Sequence, residues 1–150
     1  MSGKMIGIFA VFVLLLVGCQ ASGGSEQLSD QAVVAKQYIE QAGYKVLSYE
    51  GKVSTYKLTK DLVGQLPHAM YWSLPGNDPE KAYGKTVEVE KFIVSNHPLD
   101  NYQSGSVKAK GKTEVYVHLA EGRVVAGTSF PVTDTPPDGG YWNIHGISHE

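Results

Sequence analysis

The segment Thr113–Leu119 constrains the fold most strongly, because its side chains alternate without a break between apolar and polar or aromatic types. Val115, Val117 and Leu119 share one parity, and the residues between them are Glu114, Tyr116 and His118. A period of two places the two sets on opposite faces of a β-strand. The pattern predicts an antiparallel sheet with one face on a core and the other, carrying His118, in water.

Other segments also have strand character. Thr86–Ser95 is apolar at odd positions in its first half and, from Phe92 onward, at even positions. Either a bulge near Glu90–Lys91 joins the halves, or the strand is buried on both faces. Further strands are predicted at Tyr44–Glu50 and Lys52–Leu58, which share a tight turn at Glu50–Gly51, and at Ala69–Leu74, Arg123–Ser129 and, as a short edge strand, Tyr141–Ile144.

One helix is predicted before the strands, with Ser29 as N-cap, Ala42 as its last residue and Gly43 just after it. Thr59 is predicted to cap a short helical turn, and Asp78–Pro79 to open another. We therefore predict a single α+β domain at residues 29–150, with the N-terminal helix packed on a mostly antiparallel sheet of five or six strands. This order resembles the small cystatin-like and PepSY-like domains of exported bacterial proteins, which implies their architecture here.

The N-terminus predicts export. Lys4 precedes the almost purely apolar run Met5–Val17, whose 13 residues match the ~7–15 of a signal h-region but not the ~20 of a membrane-spanning helix. The run ends in Leu16-Val17-Gly18-Cys19, which resembles the lipobox of bacterial lipoproteins. The resemblance implies that residues 1–18 are a signal peptide and that Cys19 receives a diacylglycerol thioether. Residues 19–28 would then be a flexible tether, and the protein a lipoprotein on the extracytoplasmic face of the cell membrane.

Composition excludes several classes of function. Cys19 is the only cysteine, so the exported domain is expected to have no internal disulfide, cysteine nucleophile or thiolate metal site. The formal net charge of −2 argues against a nucleic-acid partner. No nucleophile elbow or phosphate-binding loop is present, and no cofactor is predicted.

Five histidines are the candidates for a metal or catalytic role: His68, His97, His118, His145 and His149. His145 and His149 would share one face of a helix and are the weak metal candidates, although Gly146 and the chain end favour a solvated tail. We expect His118 on the wet face of its strand, and structural roles for His68 and His97. A histidine enzyme or metal site would require several of these side chains to converge in one cleft.

Two aromatic pairs are the candidates for contact with a partner: Tyr71-Trp72 and Tyr141-Trp142. On a strand, one member of each pair points inward and the other outward, where it can anchor a ligand. We therefore predict a non-enzymatic binding or interaction module that contacts an envelope protein or peptide. The alternative is a small envelope enzyme or a metal-binding protein that uses histidines.

The second half of the chain resembles a family of uncharacterised exported lipoproteins of Gram-positive bacteria. The residues that carry the resemblance are Gly84-Lys85, Val94-Ser-Asn-His97, Val125-Ala-Gly127 and Ile144-His-Gly146. That family has no known activity, so the resemblance implies none here.

Overall fold

A computed structural model describes residues 27–149, and their fold is α+β, as predicted. The helices are α1 (Asp30–Gln41), α2 (Lys60–Val63) and α3 (His68–Ser73). The strands are β1 (Lys45–Lys57), β2 (Thr86–Ser95), β3 (Gln103–Ser104), β4 (Val107–Lys108), β5 (Thr113–Ala120), β6 (Arg123–Pro131) and β7 (Trp142–Asn143). The signal peptide, the lipobox with Cys19 and most of the tether lie outside the described residues. Within residues 27–149, no helix has the length and apolar character to cross a membrane.

The main sheet has five antiparallel strands in the order β1-β2-β5-β6-β7. Strands β3 and β4 form a separate two-stranded hairpin between β2 and β5. Ser29 caps α1 by accepting a hydrogen bond from the Ala32 amide. The predicted short turns are also present, because Thr59 caps α2 and Asp78 caps a 3₁₀ turn at Pro79–Lys81.

Both faces of the sheet are covered, which corrects the prediction of one wet face. Helix α1 packs its Ala32, Ala35 and Ile39 on the first face, whose buried side chains are Phe92, Val94, Val115, Val117 and Leu119. A second cluster buries the opposite face under the segments between β1 and β2: Leu58, Trp72, Ala82, Val87, Val89, Ala120, Val125 and Ala126. The sheet is therefore the middle layer of the described domain.

The change of parity in β2 follows from this double burial. β2 pairs with β5 in unbroken register from Val87 opposite Ala120 to Val94 opposite Thr113. Val87 and Val89 therefore face the second cluster, and Phe92 and Val94 face α1. A strand buried on both faces, the second of the two predicted alternatives, is the correct one.

The irregularities lie in β1 instead, and the predicted hairpin at Glu50–Gly51 is wrong. β1 is one continuous strand of 13 residues. Its pairing with β2 shifts at three places, which leave Leu47, Glu50 and Val53 without a partner. Gly51 has a φ of +96° and lies within the strand, next to the unpaired Glu50, rather than in a turn.

The predicted strand Ala69–Leu74 is also wrong, because this segment belongs to helix α3. The alternation of Met70, Trp72 and Leu74 fits a strand, but six residues are too few for periodicity to exclude a helix. The helix buries Trp72, and Leu74 is buried just beyond it.

Candidate functional site

The second face of the sheet holds a cavity of about 580 Å³. Its floor is formed by three neighbouring strands, with Val89 from β2, Tyr116 and His118 from β5, and Thr128 and Phe130 from β6. The volume lies within the range of roughly 300–1,000 Å³ that is typical of small-molecule sites. We call this cavity the aromatic pocket.

Strand alternation and the bulges of β1 bring the side chains to the aromatic pocket. On β5, the odd-numbered residues face α1, so the even-numbered ones face the pocket. On β1, the unpaired Val53 and its neighbour Ser54 both reach the pocket, and Tyr56 follows. A bulge thus turns two successive side chains of the edge strand toward one site.

Helix α3 and the chain after β6 form the remaining walls. His68 and Tyr71 are three residues apart on α3, so they share one helix face, and both line the pocket. The opposite wall is the stretch after Phe130, which contributes three prolines: Pro131, Pro136 and Pro137.

The aromatic rings form an almost continuous arc. Tyr56 and His68 have ring centroids 4.7 Å apart, and Tyr71 lies 6.3 Å from His118. Tyr141, which does not line the pocket, joins Tyr71 to the other side, with centroid distances of 5.6 Å to Tyr71 and 6.1 Å to Phe130. Phe130 in turn lies 5.8 Å from Tyr116. These separations are those of favourable tilted and edge-to-face contacts.

His118 lies at the inner end of the pocket and is buried, so its predicted place on a wet surface is wrong. Its Nδ1 is 3.1 Å from the Tyr56 hydroxyl, within hydrogen-bond distance. Burial, with a smaller effect from His68, lowers the pKa of His118 to about 4. The imidazole is therefore neutral at pH 7. Burial also raises the pKa of Tyr56 to about 12, so its hydroxyl keeps its proton.

His68 differs from His118 in having an unsatisfied nitrogen. Its Nδ1 is buried and has no hydrogen-bond partner among the described residues. Burial lowers the pKa of His68 as well. A buried nitrogen without a partner is costly, and it can accept or donate one hydrogen bond depending on the tautomer.

Glu114 is the acidic side chain of the pocket lining, and its charge is already paired. Its Oε1 lies 2.9 Å from the Lys91 ammonium, and its Oε2 accepts a hydrogen bond of 2.8 Å from the Tyr116 hydroxyl. Burial acts to lower the pKa of Lys91, but the hydrogen bonds to Glu114 and Tyr116 outweigh it, and the pKa is raised. Burial, together with Glu114, raises the pKa of Tyr116 to about 12.

The structure brings the two predicted aromatic pairs together. Tyr71 and Tyr141 contact each other and are half-buried, whereas Trp72 and Trp142 are 2% and 9% exposed. In each pair the tryptophan is buried, although Tyr71 and Trp72 lie on helix α3 and not on the predicted strand. The two tryptophans are core residues, and contact of these aromatic pairs with a partner stays a prediction.

The histidines divide between two places. His68 and His118 meet at the aromatic pocket, while His97 and His145 lie beside Tyr44, with ring centroids 4.5 Å and 6.2 Å from its ring. Both nitrogens of His97 are within hydrogen-bond distance of backbone groups, the Leu99 amide and the Ile144 carbonyl. Its imidazole is thus structural, as predicted.

The weak metal candidates have separate partners. His145 Nδ1 lies 3.1 Å from the Tyr44 hydroxyl, and His149 Nε2 lies 2.9 Å from Ser73 Oγ. Residues 144–149 form no helix, so the two imidazoles do not share a helix face, and this agrees with the expectation drawn from Gly146 and the chain end. Across residues 27–149, no group of three or more potential metal ligands was found.

Sequence reasoning missed the aromatic pocket as a unit. The sequence feature that indicates the pocket is one face of β5, which carries Glu114, Tyr116 and His118. The same residue types are also typical of a solvated face, which is the prediction made above. No protein-family model, curated protein or solved structure matches the chain.

Proposed function

We propose that the protein is a lipid-anchored binding module of the cell envelope that holds a largely apolar ligand in the aromatic pocket. The observation that carries the binding role is the cavity of about 580 Å³ with aromatic and proline walls. Such a surface binds apolar matter by removing it from water, and the few polar groups fix its orientation.

The anchor and the architecture belong to the same proposal. The lipobox-like Leu16–Cys19 supports lipidation at Cys19 and a place on the extracytoplasmic face of the cell membrane. A helix on an antiparallel sheet supports a cystatin- or PepSY-like architecture. Confinement to a membrane surface raises the effective concentration of the module toward ligands that reside there.

A blocking substitution at the rim of the pocket tests the binding role. Ser54 is exposed and lines the pocket, so Ser54→Trp places an indole at its opening. We expect the affinity for an apolar fluorescent probe such as N-phenyl-1-naphthylamine, measured by titration with the full chain in lipid nanodiscs, to fall at least roughly tenfold, which is about 1.4 kcal/mol.

The matched control is Thr55→Trp, on the next exposed residue of β1, which does not line the pocket. This variant should bind the probe as the wild type does. Equal affinity of wild type and Ser54→Trp would contradict a binding role for the pocket.

A histidine-based metal role is the second candidate, and one observation favours it. His68 and His118 line the same pocket, and the His68 Nδ1 has no partner among the described residues. A rise in melting temperature with zinc that is lost in both His68→Phe and His118→Phe would support this role. No zinc-dependent shift in the wild type would contradict it.

A further inference from the structure

The aromatic pocket presents no uncompensated charge to a ligand. The lining residues include one carboxylate, Glu114, and it is held by the Lys91 ammonium and the Tyr116 hydroxyl. The other lining side chains are apolar, hydroxyl-bearing or imidazole. A charged ligand would lose its hydration on entry without gaining an opposite charge, so the pocket selects against it.

The two imidazoles of the lining fit this picture. His118 is buried and bonded to Tyr56, and burial keeps its pKa far below 7. The pKa of His68 is lowered by the same cause. Neither ring supplies a cation at neutral pH that could attract an anionic ligand.

The lining contains a fully buried polar atom that has no partner among the described residues. The His68 Nδ1 is buried and makes no hydrogen bond to any part of the described chain. Its ring stands at the end of the aromatic arc, in contact with Tyr56 and 6.4 Å from Tyr71. The nitrogen is covered in this structure, so a ligand group bonds to it only when the His68 ring turns. That group then sits beside aromatic surface on which the rest of the ligand can pack.

From these contacts we infer that the ligand is an uncharged, largely apolar small molecule with one hydrogen-bonding group, which bonds to the His68 Nδ1. The inference rests on the proposed binding function of the pocket. It assigns His68 as the residue that selects among apolar ligands, and Tyr56 and Tyr71 as the surface that packs on the ligand body.

A series of naphthyl compounds of nearly equal shape tests this assignment. 2-Naphthol is neutral and carries a hydroxyl, naphthalene lacks it, 2-naphthoate is an anion and 2-naphthylmethylamine is a cation at pH 7. Affinities are measured by calorimetry on the full chain in lipid nanodiscs, with Ser54→Trp nanodiscs as the blank for partition into lipid. We expect 2-naphthol to bind roughly 5- to 10-fold more tightly than naphthalene, the fold-change that one hydrogen bond supplies. Both charged compounds should bind more weakly than naphthalene.

His68→Phe keeps an aromatic ring and removes the nitrogen. In this variant, 2-naphthol and naphthalene should bind with equal affinity, because the nitrogen that distinguishes them is gone. The matched control is His149→Phe, an exposed histidine outside the pocket, which should keep the wild-type preference.

The two proposals fail in different ways. If no compound binds above the Ser54→Trp blank, the binding function itself is overturned. If the compounds bind but naphthalene equals 2-naphthol in the wild type, or a charged compound binds best, only the inference about ligand class is overturned. Retention of the 2-naphthol preference in His68→Phe would overturn the role of His68.

Discussion

His118 has two roles. Its backbone pairs with the neighbouring strands of the sheet, and its ring forms the inner end of the aromatic pocket. The side chain is 4% exposed and is surrounded by the rings of Tyr56, Tyr71 and Trp72. A buried imidazole with a pKa of about 4 is neutral in the folded state. The unfolded chain, with an ordinary histidine pKa of 6.5, takes up a proton below that pH.

This difference predicts a loss of stability in acid. The lowered pKa of folded His118 contributes stability that is complete above pH 6.5 and is lost as the pH falls toward 4. The difference between the unfolded and folded pKa values of His118 corresponds to about 3 kcal/mol of unfolding free energy. The lowered pKa values of His68 and His97 change the stability in the same direction. Urea unfolding at pH 7, 6 and 5 measures the slope.

The controls for this prediction are two single substitutions. His118→Phe removes the titrating group, so its unfolding free energy should depend less on pH, even though the loss of the bond to Tyr56 lowers stability at every pH. His149→Phe, at an exposed site, should keep the wild-type slope. An unchanged slope in His118→Phe would show that His118 is not the group responsible.

At the scale of elements, β1 departs most from ideal geometry. Three residues of this strand have no partner on β2, and Gly51 has a left-handed φ in the middle of the strand. Sequence alone could not identify this, because Glu50–Gly51 between two apolar segments is also the signature of a hairpin turn. The pairing with β2 decides between a turn and a bulge. Because β2 pairs with β1 from Thr86 to Ser95, β1 continues through Gly51 as one bulged strand.

Two glycine substitutions, one inside β1 and one outside it, are expected to lower the unfolding free energy by different amounts. Gly51 has a φ of +96° and open space around its Cβ position, so Gly51→Ala costs only backbone strain. We expect about 1–2 kcal/mol less unfolding free energy. Gly64, with a φ of −78°, is the control, and Gly64→Ala should change stability by less than about 0.5 kcal/mol. Thermal or urea unfolding checks both, and equal effects would contradict the strained geometry of Gly51.

The short helix α3 explains why the pocket was harder to predict than the fold. The alternation of β5 fixed which side chains share a face, and this part of the prediction is confirmed. The error lay in the segment that covers that face, since a strand at Ala69–Leu74 would have left His118 in water. The lining of the pocket comes from segments that are far apart in sequence. Local sequence periodicity does not predict which distant segments pack together.

On the scale of the whole molecule, sequence predicted the class of fold well because β5 alternates without a break and β2 alternates within each of its halves. The bounds of β2 agree with the structure, and those of β5 and β6 are close. Lipidation at Cys19 stays a prediction, since the residue lies outside the described part of the chain.

Replacement of the cysteine tests the anchor. In the proposed lipoprotein, Cys19→Ser removes the thiol that forms the thioether, so the signal should stay uncleaved and no acyl chains should be attached. Mass spectrometry of the membrane-extracted wild type should show a chain that begins at residue 19 with added lipid mass, and the variant should retain residues 1–18. A serine at an exposed, distant position such as Thr55→Ser should leave processing unchanged. A wild-type protein with an intact leader or a free thiol would contradict the anchor.

The free edge of the sheet at β1 is irregular, and this affects how copies of the protein can associate when they lie close together. An even row of free amides and carbonyls would let one copy extend the sheet of its neighbour, and such growth leads to fibrils. Here three interruptions break that row along its length, and the opposite margin, β7, is only two residues long. Within the described residues, neither edge presents a long even row of free backbone groups, so we expect the domain to resist edge-to-edge polymerisation at high local density.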